Sequence, residues 1–137
     1  MLKMKFKVEV IVEGPGQIRS VLKFVDRPVS FLGMVDPKKG TLNVEDKQIE
    51  IAGNILSFPY MIGSTVAPYV IYSLKKNKKA PSAIITSSVD ALLASGCALS
   101  DIPLMIISQS DFELMKKLDG QTITIDTING EVCFDEQ

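Results

Sequence analysis

Apolar and polar residues change places along this chain with two different periods, and the changes of period mark its elements. From Lys5 to Val12 they alternate, with Phe6, Val8, Val10 and Val12 set against Lys5, Lys7 and Glu9. A period of two predicts a half-buried strand. Gly14-Pro15-Gly16 reads as a turn, and a second strand is expected from Ser20 to Val25, closed by Asp26-Arg27-Pro28. Pro28 to Gly40 is rich in turn formers and has no helical period, so it reads as a loop with short extended pieces. Thr41 to Val44 predicts a brief strand, and Ile49 to Ala52 leads through Gly53 into a β-favouring run at Ile55 to Phe58.

From that run onward the order is strand, turn, helix. Pro59 breaks the strand, Gly63 suits a tight turn, and Ser64 or Thr65 is a candidate N-cap for an apolar segment running to Lys75, Lys76, Lys78 and Lys79. Pro68 fits only near a helix start, where the first N–H groups lack intrahelical partners. Two hydroxyls thus fall where backbone donors and the positive end of a helix dipole converge, a place suited to an anion. Capping alone explains the same residues, and the local pattern does not choose between the two. Ala80-Pro81 stops the helix, and Ser82 to Thr86 reads as a strand covered on both faces. Ser88 is expected to cap a helix from Val89 to about Ala98, with Cys97 on its inner face as a small core hydrophobe. Ile102 to Ile107 predicts another buried strand, and Ser110 to Leu118 a short helix capped by Ser110 or Asp111 with Phe112, Met115 and Leu118 inward. Thr122 to Asp126 alternates, and Asn129-Gly130 turns the chain into a last strand, Glu131 to Phe134. The sum is an α/β chain: a parallel central sheet with crossover helices, flanked by a second, antiparallel β layer. Ligands of such sheets sit beyond the carboxyl ends of the strands, where Pro59 to Thr65 lies.

Composition narrows the chemistry. The 137 residues carry a net charge of −1 with no histidine and only two cysteines, Cys97 and Cys133. One domain is the simplest reading of that length. The only lysine cluster ends a helix, so nucleic-acid binding is disfavoured. No apolar run approaches the roughly 20 residues that span a bilayer, and the charged start lacks a signal-peptide core, so a cytoplasmic protein is expected. A metal site or disulfide framework made by this chain is disfavoured, and without histidine there is no Ser-His-Asp or Cys-His pair. If Ser64 does chemistry, something outside the chain must help it.

Three blocks, taken in order, resemble a known family: Pro28-Val-Ser-Phe-Leu-Gly-Met-Val-Asp-Pro37 with Gly40, Ile51-Ala-Gly53 leading to Phe58-Pro59, and Gly63-Ser-Thr-Val66 with Tyr69-Val-Ile-Tyr72 and Ala80-Pro-Ser-Ala-Ile-Ile85. They are similar to the swivel-domain small subunits of aconitase X proteins, with the archaeal phosphomevalonate-dehydrating branch nearest. The resemblance implies the swivelling β/β/α fold and a large catalytic partner subunit carrying a [4Fe–4S] cluster and most of the substrate site. It implies a dehydration of (R)-5-phosphomevalonate to trans-anhydromevalonate 5-phosphate in isoprenoid synthesis. The family's serine falls on Ser64 as catalytic base, with Gly63 and Thr65 as substrate-binding neighbours. Where the family pattern has a basic residue before the glycine and Gly-Ser beyond it, this chain has Ile62, Ala67 and Pro68. Tyr69 and Tyr72 are expected to serve packing or an interface, and Asp36 to form a turn. Two other readings are a subunit of a cis-3-hydroxyproline dehydratase and a non-catalytic swivel-domain interaction module.

A helix N-terminus contributes about 0.3–1 kcal/mol to a nearby anion, up to ~2 when partly buried. At about 1.4 kcal/mol per pKa unit, that lowers a serine hydroxyl by one or two units at most. An alkoxide near neutrality therefore requires further cationic groups and desolvation, which an interface with a second polypeptide would supply.

Overall fold

The computed structural model describes residues 3–135. Seven strands close into a barrel in the order β1-β10-β9-β2-β6-β7-β8, and a small antiparallel sheet, β3-β4-β5, stands beside it. The barrel strands are β1 (Lys3–Val12), β2 (Gln17–Phe24), β6 (Ile55–Phe58), β7 (Ala83–Thr86), β8 (Leu104–Ile107), β9 (Thr122–Asp126) and β10 (Glu131–Asp135); the small sheet is β3 (Val35–Asp36), β4 (Thr41–Val44) and β5 (Lys47–Glu50). Strands β2, β6, β7 and β8 run parallel, whereas β1, β10, β9 and β2 form an antiparallel half. The expected parallel and antiparallel layers are thus both present. They share β2, and β1 closes them by pairing with β8.

Alternation along the parallel strands divides the core in two. Ile55, Ala83, Ile85 and Met105 point between the β layers, toward Phe6, Ile18, Ile123 and Val132. Leu56, Phe58, Ile84 and Leu104 point the other way, toward α2 (Ala67–Lys76) and α3 (Ala91–Leu99). Every residue of β6 and β7 is buried, as expected of strands covered on both faces. A third helix, α4 (Gln109–Met115), continues as a 3-10 turn, Lys116–Leu118, and sends Phe112, Met115 and Leu118 into the barrel interior.

Helices α2 and α3 cross closely because Gly96 has no side chain. A Cβ there would stand 2.8 Å from Ile71 Cδ1 and 3.2 Å from the Pro68 Cα. Buried Ala67, Ile71 and Leu74 form the inner stripe of α2, while Lys75 and Lys76 complete its last turn. Cys97 is core, as expected, and burial pushes its thiol up to about 12.

Several local expectations are corrected. The Pro28–Gly40 segment contains a one-turn helix, α1 (Phe31–Met34), capped by Ser30, whose buried Phe31 meets Phe58 edge-on at 6.0 Å between ring centroids. The α3 cap is Asp90 rather than Ser88, and the α4 cap is Ser108 rather than Ser110 or Asp111. Asn129-Gly130 turns the chain into β10 as expected, at the end of a connection, residues 127–130, built around the Asp126 carboxylate, which accepts the Ile128 and Asn129 N–H groups at 2.9 Å each. Asp36 forms its turn by accepting from the Lys38 and Lys39 N–H groups. Among the described residues no helix is long and apolar enough to cross a membrane.

Gly96→Val is expected to destabilise the chain by about 1–3 kcal/mol in urea unfolding, the usual cost of forcing bulk into a packed contact; unchanged stability would contradict the close helix crossing. The hydrogen bonds from Asn129 hold the Asp126 carboxyl below its ordinary value of 3.8. A lowered folded pKa contributes stability above the unfolded value that is lost as pH falls through the folded one. Asp126→Asn should therefore unfold with a shallower dependence on pH below about 4 than the parent, measured by denaturant titration across that range.

Candidate functional site

The carboxyl ends of β6 and β7 open onto one edge, and two connections leave there side by side. The Pro59 carbonyl ties them together: it accepts the Ser87 and Ser88 N–H groups at 3.1 Å each and the Ser87 hydroxyl at 3.0 Å. On its other flank the β6–α2 connection is pinned by a parallel bridge between Val29 and Met61, with Val29 N–H donating to Tyr60 O at 3.1 Å and Ile62 N–H to Val29 O at 2.8 Å. Between these anchors and α2 lies Gly63-Ser64-Thr65, at the surface: Ser64 is half-buried, Gly63 and Thr65 exposed.

The sequence-predicted residues are adjacent at the expected edge, but neither hydroxyl caps the helix. The N-cap is Val66, without a side-chain hydrogen bond, and Pro68 occupies the first turn. Ser64 instead forms a separate turn just before α2. Its Oγ accepts the Val66 N–H at 3.4 Å and its carbonyl accepts the Ala67 N–H at 3.0 Å, while Tyr69 N–H donates to Val66 O. The first donors of α2 are thus occupied, and Pro68 has none. The donors left open belong to the loop: among the described residues, the N–H groups of Gly63, Ser64 and Thr65 reach no protein acceptor. N–H groups without a protein acceptor, beside a weakly engaged hydroxyl, are available to a ligand oxygen. Gly63 is not required by its backbone angles, since its φ is not positive; a Cβ there would meet only Asp90 Oδ2, at 3.9 Å.

Around the loop, Tyr69 and Tyr72, expected to serve packing or an interface, lie at the surface together with other large side chains. Tyr60, Ile62, Val66, Tyr69 and Tyr72 are exposed, Tyr69 by 73%, and so is Leu32 of α1, the helix that packs against α2. Val66, Tyr69 and Tyr72 follow a spacing of three and share the outer face of α2. Clefts of about 520 Å³, lined by Lys23, Lys47 and Asp119, and about 460 Å³, lined by Lys75, Ser82 and Asp101, are lined by no residue of the loop. The loop itself lies open.

Sequence reasoning missed Asp90, the acid beside the loop. Its position directly before the apolar run Ala91-Leu92-Leu93 is an N-cap signal, passed over because the helix was expected to begin at Val89 rather than Ala91. Among the described residues there is no group of three or more His, Cys, Asp or Glu side chains that could hold a metal. With Cys97 in the core and Cys133 on β10, the residues present do not fit an iron–sulfur cluster.

A family model described as the aconitase X swivel domain matches residues 5–134. The chain is 40% identical to the phosphomevalonate dehydratase small subunit of Thermococcus kodakarensis, over 94% of this chain and 95% of that one. It is also 40% identical to the protein of the same name from Methanosarcina mazei, over 96% and 92% of the two chains. Among solved structures, the crystal structure of Thermococcus kodakaraensis aconitase X in its holo-form superposes with a TM-score of 0.84 at 38% identity, covering 97% of this chain and 99% of that one. The solution structure of a UPF0107 protein gives a TM-score of 0.84 at 32% identity, over 97% and 100%. Barrel, helix layer and sequence agree, and the chain belongs to the aconitase X swivel-domain family.

Proposed function

We propose that this chain is the small subunit of a phosphomevalonate dehydratase, a cytoplasmic hydro-lyase that converts (R)-5-phosphomevalonate to trans-anhydromevalonate 5-phosphate. The relatives named above are small subunits of that enzyme, and the name implies a larger partner. The observation that carries the reading is the Ser64 hydroxyl itself: half-buried, held by one long hydrogen bond, and presented in an open loop ringed by exposed apolar side chains.

In this reading Ser64 Oγ, as alkoxide, takes the proton from the carbon beside the substrate carboxylate. The C–H electron pair becomes the double bond, the hydroxyl on the next carbon leaves with its own bonding pair, and the proton now on Ser64 Oγ passes to it, giving water and restoring the alkoxide. The open N–H groups at Gly63 and Thr65 hold an oxyanion of the substrate, orienting the carbon toward Ser64. Tyr60, Ile62, Val66 and Tyr69 form the seat of the large subunit, whose docking removes water from the loop and strengthens each electrostatic contact in it. The [4Fe–4S] cluster is assigned to that large subunit, where its Lewis-acid character serves the leaving hydroxyl.

Ser64→Ala, co-purified with the large subunit, tests the assignment. Turnover of phosphomevalonate should fall about 10²–10⁴-fold, the range of a general base, while the two subunits still co-elute. The isolated variant should lose under about 1 kcal/mol of stability, because only one 3.4 Å hydrogen bond is removed. Full turnover in the variant complex would exclude Ser64 as the base.

A further inference from the structure

Asp90 stands beside the Ser64 loop without a part in the chemistry described. Its Oδ1 accepts the Leu93 N–H at 2.8 Å, which fixes the side chain as the cap of α3. Its Oδ2 faces the loop, 3.9 Å from the point a Cβ on Gly63 would occupy. Among the described residues that oxygen has no hydrogen bond and Asp90 no ion pair; the salt bridges are Arg27 with Glu45 and Lys116 with Asp26.

A carboxylate in this place, with one oxygen on the α3 cap and the other without a partner, opposes the chemistry next to it. A like charge disfavours an alkoxide at Ser64 and repels an anionic substrate. Free in solution, the exposed carboxylate is hydrated. Once a partner covers Tyr60, Ile62 and Val66, that hydration is lost, and a desolvated carboxylate needs a cation and hydrogen bonds in return. We infer that Asp90 Oδ2 is the seat of a lysine or arginine carried by the large subunit, so that docking sets a positive charge beside Ser64. The inference rests on the reading of the chain as a dehydratase small subunit. Asp90 is then a positioning residue: it touches no reacting atom, and it works through the cation it holds. The cap bond matters because it leaves one oxygen free in a constant direction, and a guanidinium or ammonium group can find it without reordering the side chain.

The experiment is a titration of the large subunit with the parent chain, Asp90→Asn and Asp90→Ser, at low and high salt. Asparagine and serine both retain an oxygen able to cap α3, and both remove the charge. The parent affinity should fall as salt rises, whereas both variants should bind about tenfold more weakly at low salt and with a shallower salt dependence. A structural role in capping would leave that dependence unchanged. Variants that match the parent in affinity and salt dependence would overturn the seat at Asp90 while leaving the dehydratase reading intact. A parent chain that fails to bind the large subunit would overturn both.

Discussion

Covering β6 and β7 on both faces is the constraint from which the rest follows. Barrel side chains close one face and α2 with α3 the other, so each strand is buried from its first residue to its last. The Ser57 and Thr86 hydroxyls inside those strands have no hydrogen-bond partner among the described residues, a cost borne by the surrounding apolar burial. Polar groups that must meet a ligand have to leave the layers at the carboxyl ends. There the Pro59 carbonyl binds the two exits to each other, and the bridge from Val29 to Met61 holds the first of them from the opposite side. The Ser64 loop is therefore a surface feature fastened to a rigid edge, which gives a hydroxyl a defined position without enclosing it.

Position alone does not supply reactivity. The helix dipole is a small influence even at an N-cap, and Ser64 stands before the N-cap, separated from α2 by Thr65 and Val66, with the first helical donors already engaged. Open N–H groups, a weakly held hydroxyl and an apolar surround form one half of a site. In the proposed reading the other half is a cover that excludes water and brings positive charge, seated on the exposed side chains around the loop. The proposed division of labour is compatible with the cysteine inventory, one thiol in the core and the other on a barrel strand.

Much of this was legible from local pattern. The buried runs at Ile55–Phe58 and Ala83–Thr86, the inner stripe of α2 and the burial of Cys97 each follow from period and composition. The failures are of two kinds. Closure of the barrel pairs Gln17–Val21 with Thr122–Asp126, residues about a hundred positions apart, and no local signal encodes such a partner. The caps failed because several hydroxyls and acids compete within a few residues. At α2, Pro68 and the close contact of its backbone with Gly96 fix where the helix begins, and Ser64 is left to a turn of its own. The candidate site residues were named by their resemblance to a family motif, whereas the loop donors without a protein acceptor became visible only in three dimensions.

The most direct measurement of the central claim is the release of water from phosphomevalonate by three preparations under the same conditions: this chain alone, the large subunit alone, and the two mixed. The account predicts turnover in the mixture only. Turnover by this chain without its partner would contradict it, since the Ser64 loop would then need neither a cover nor a borrowed charge.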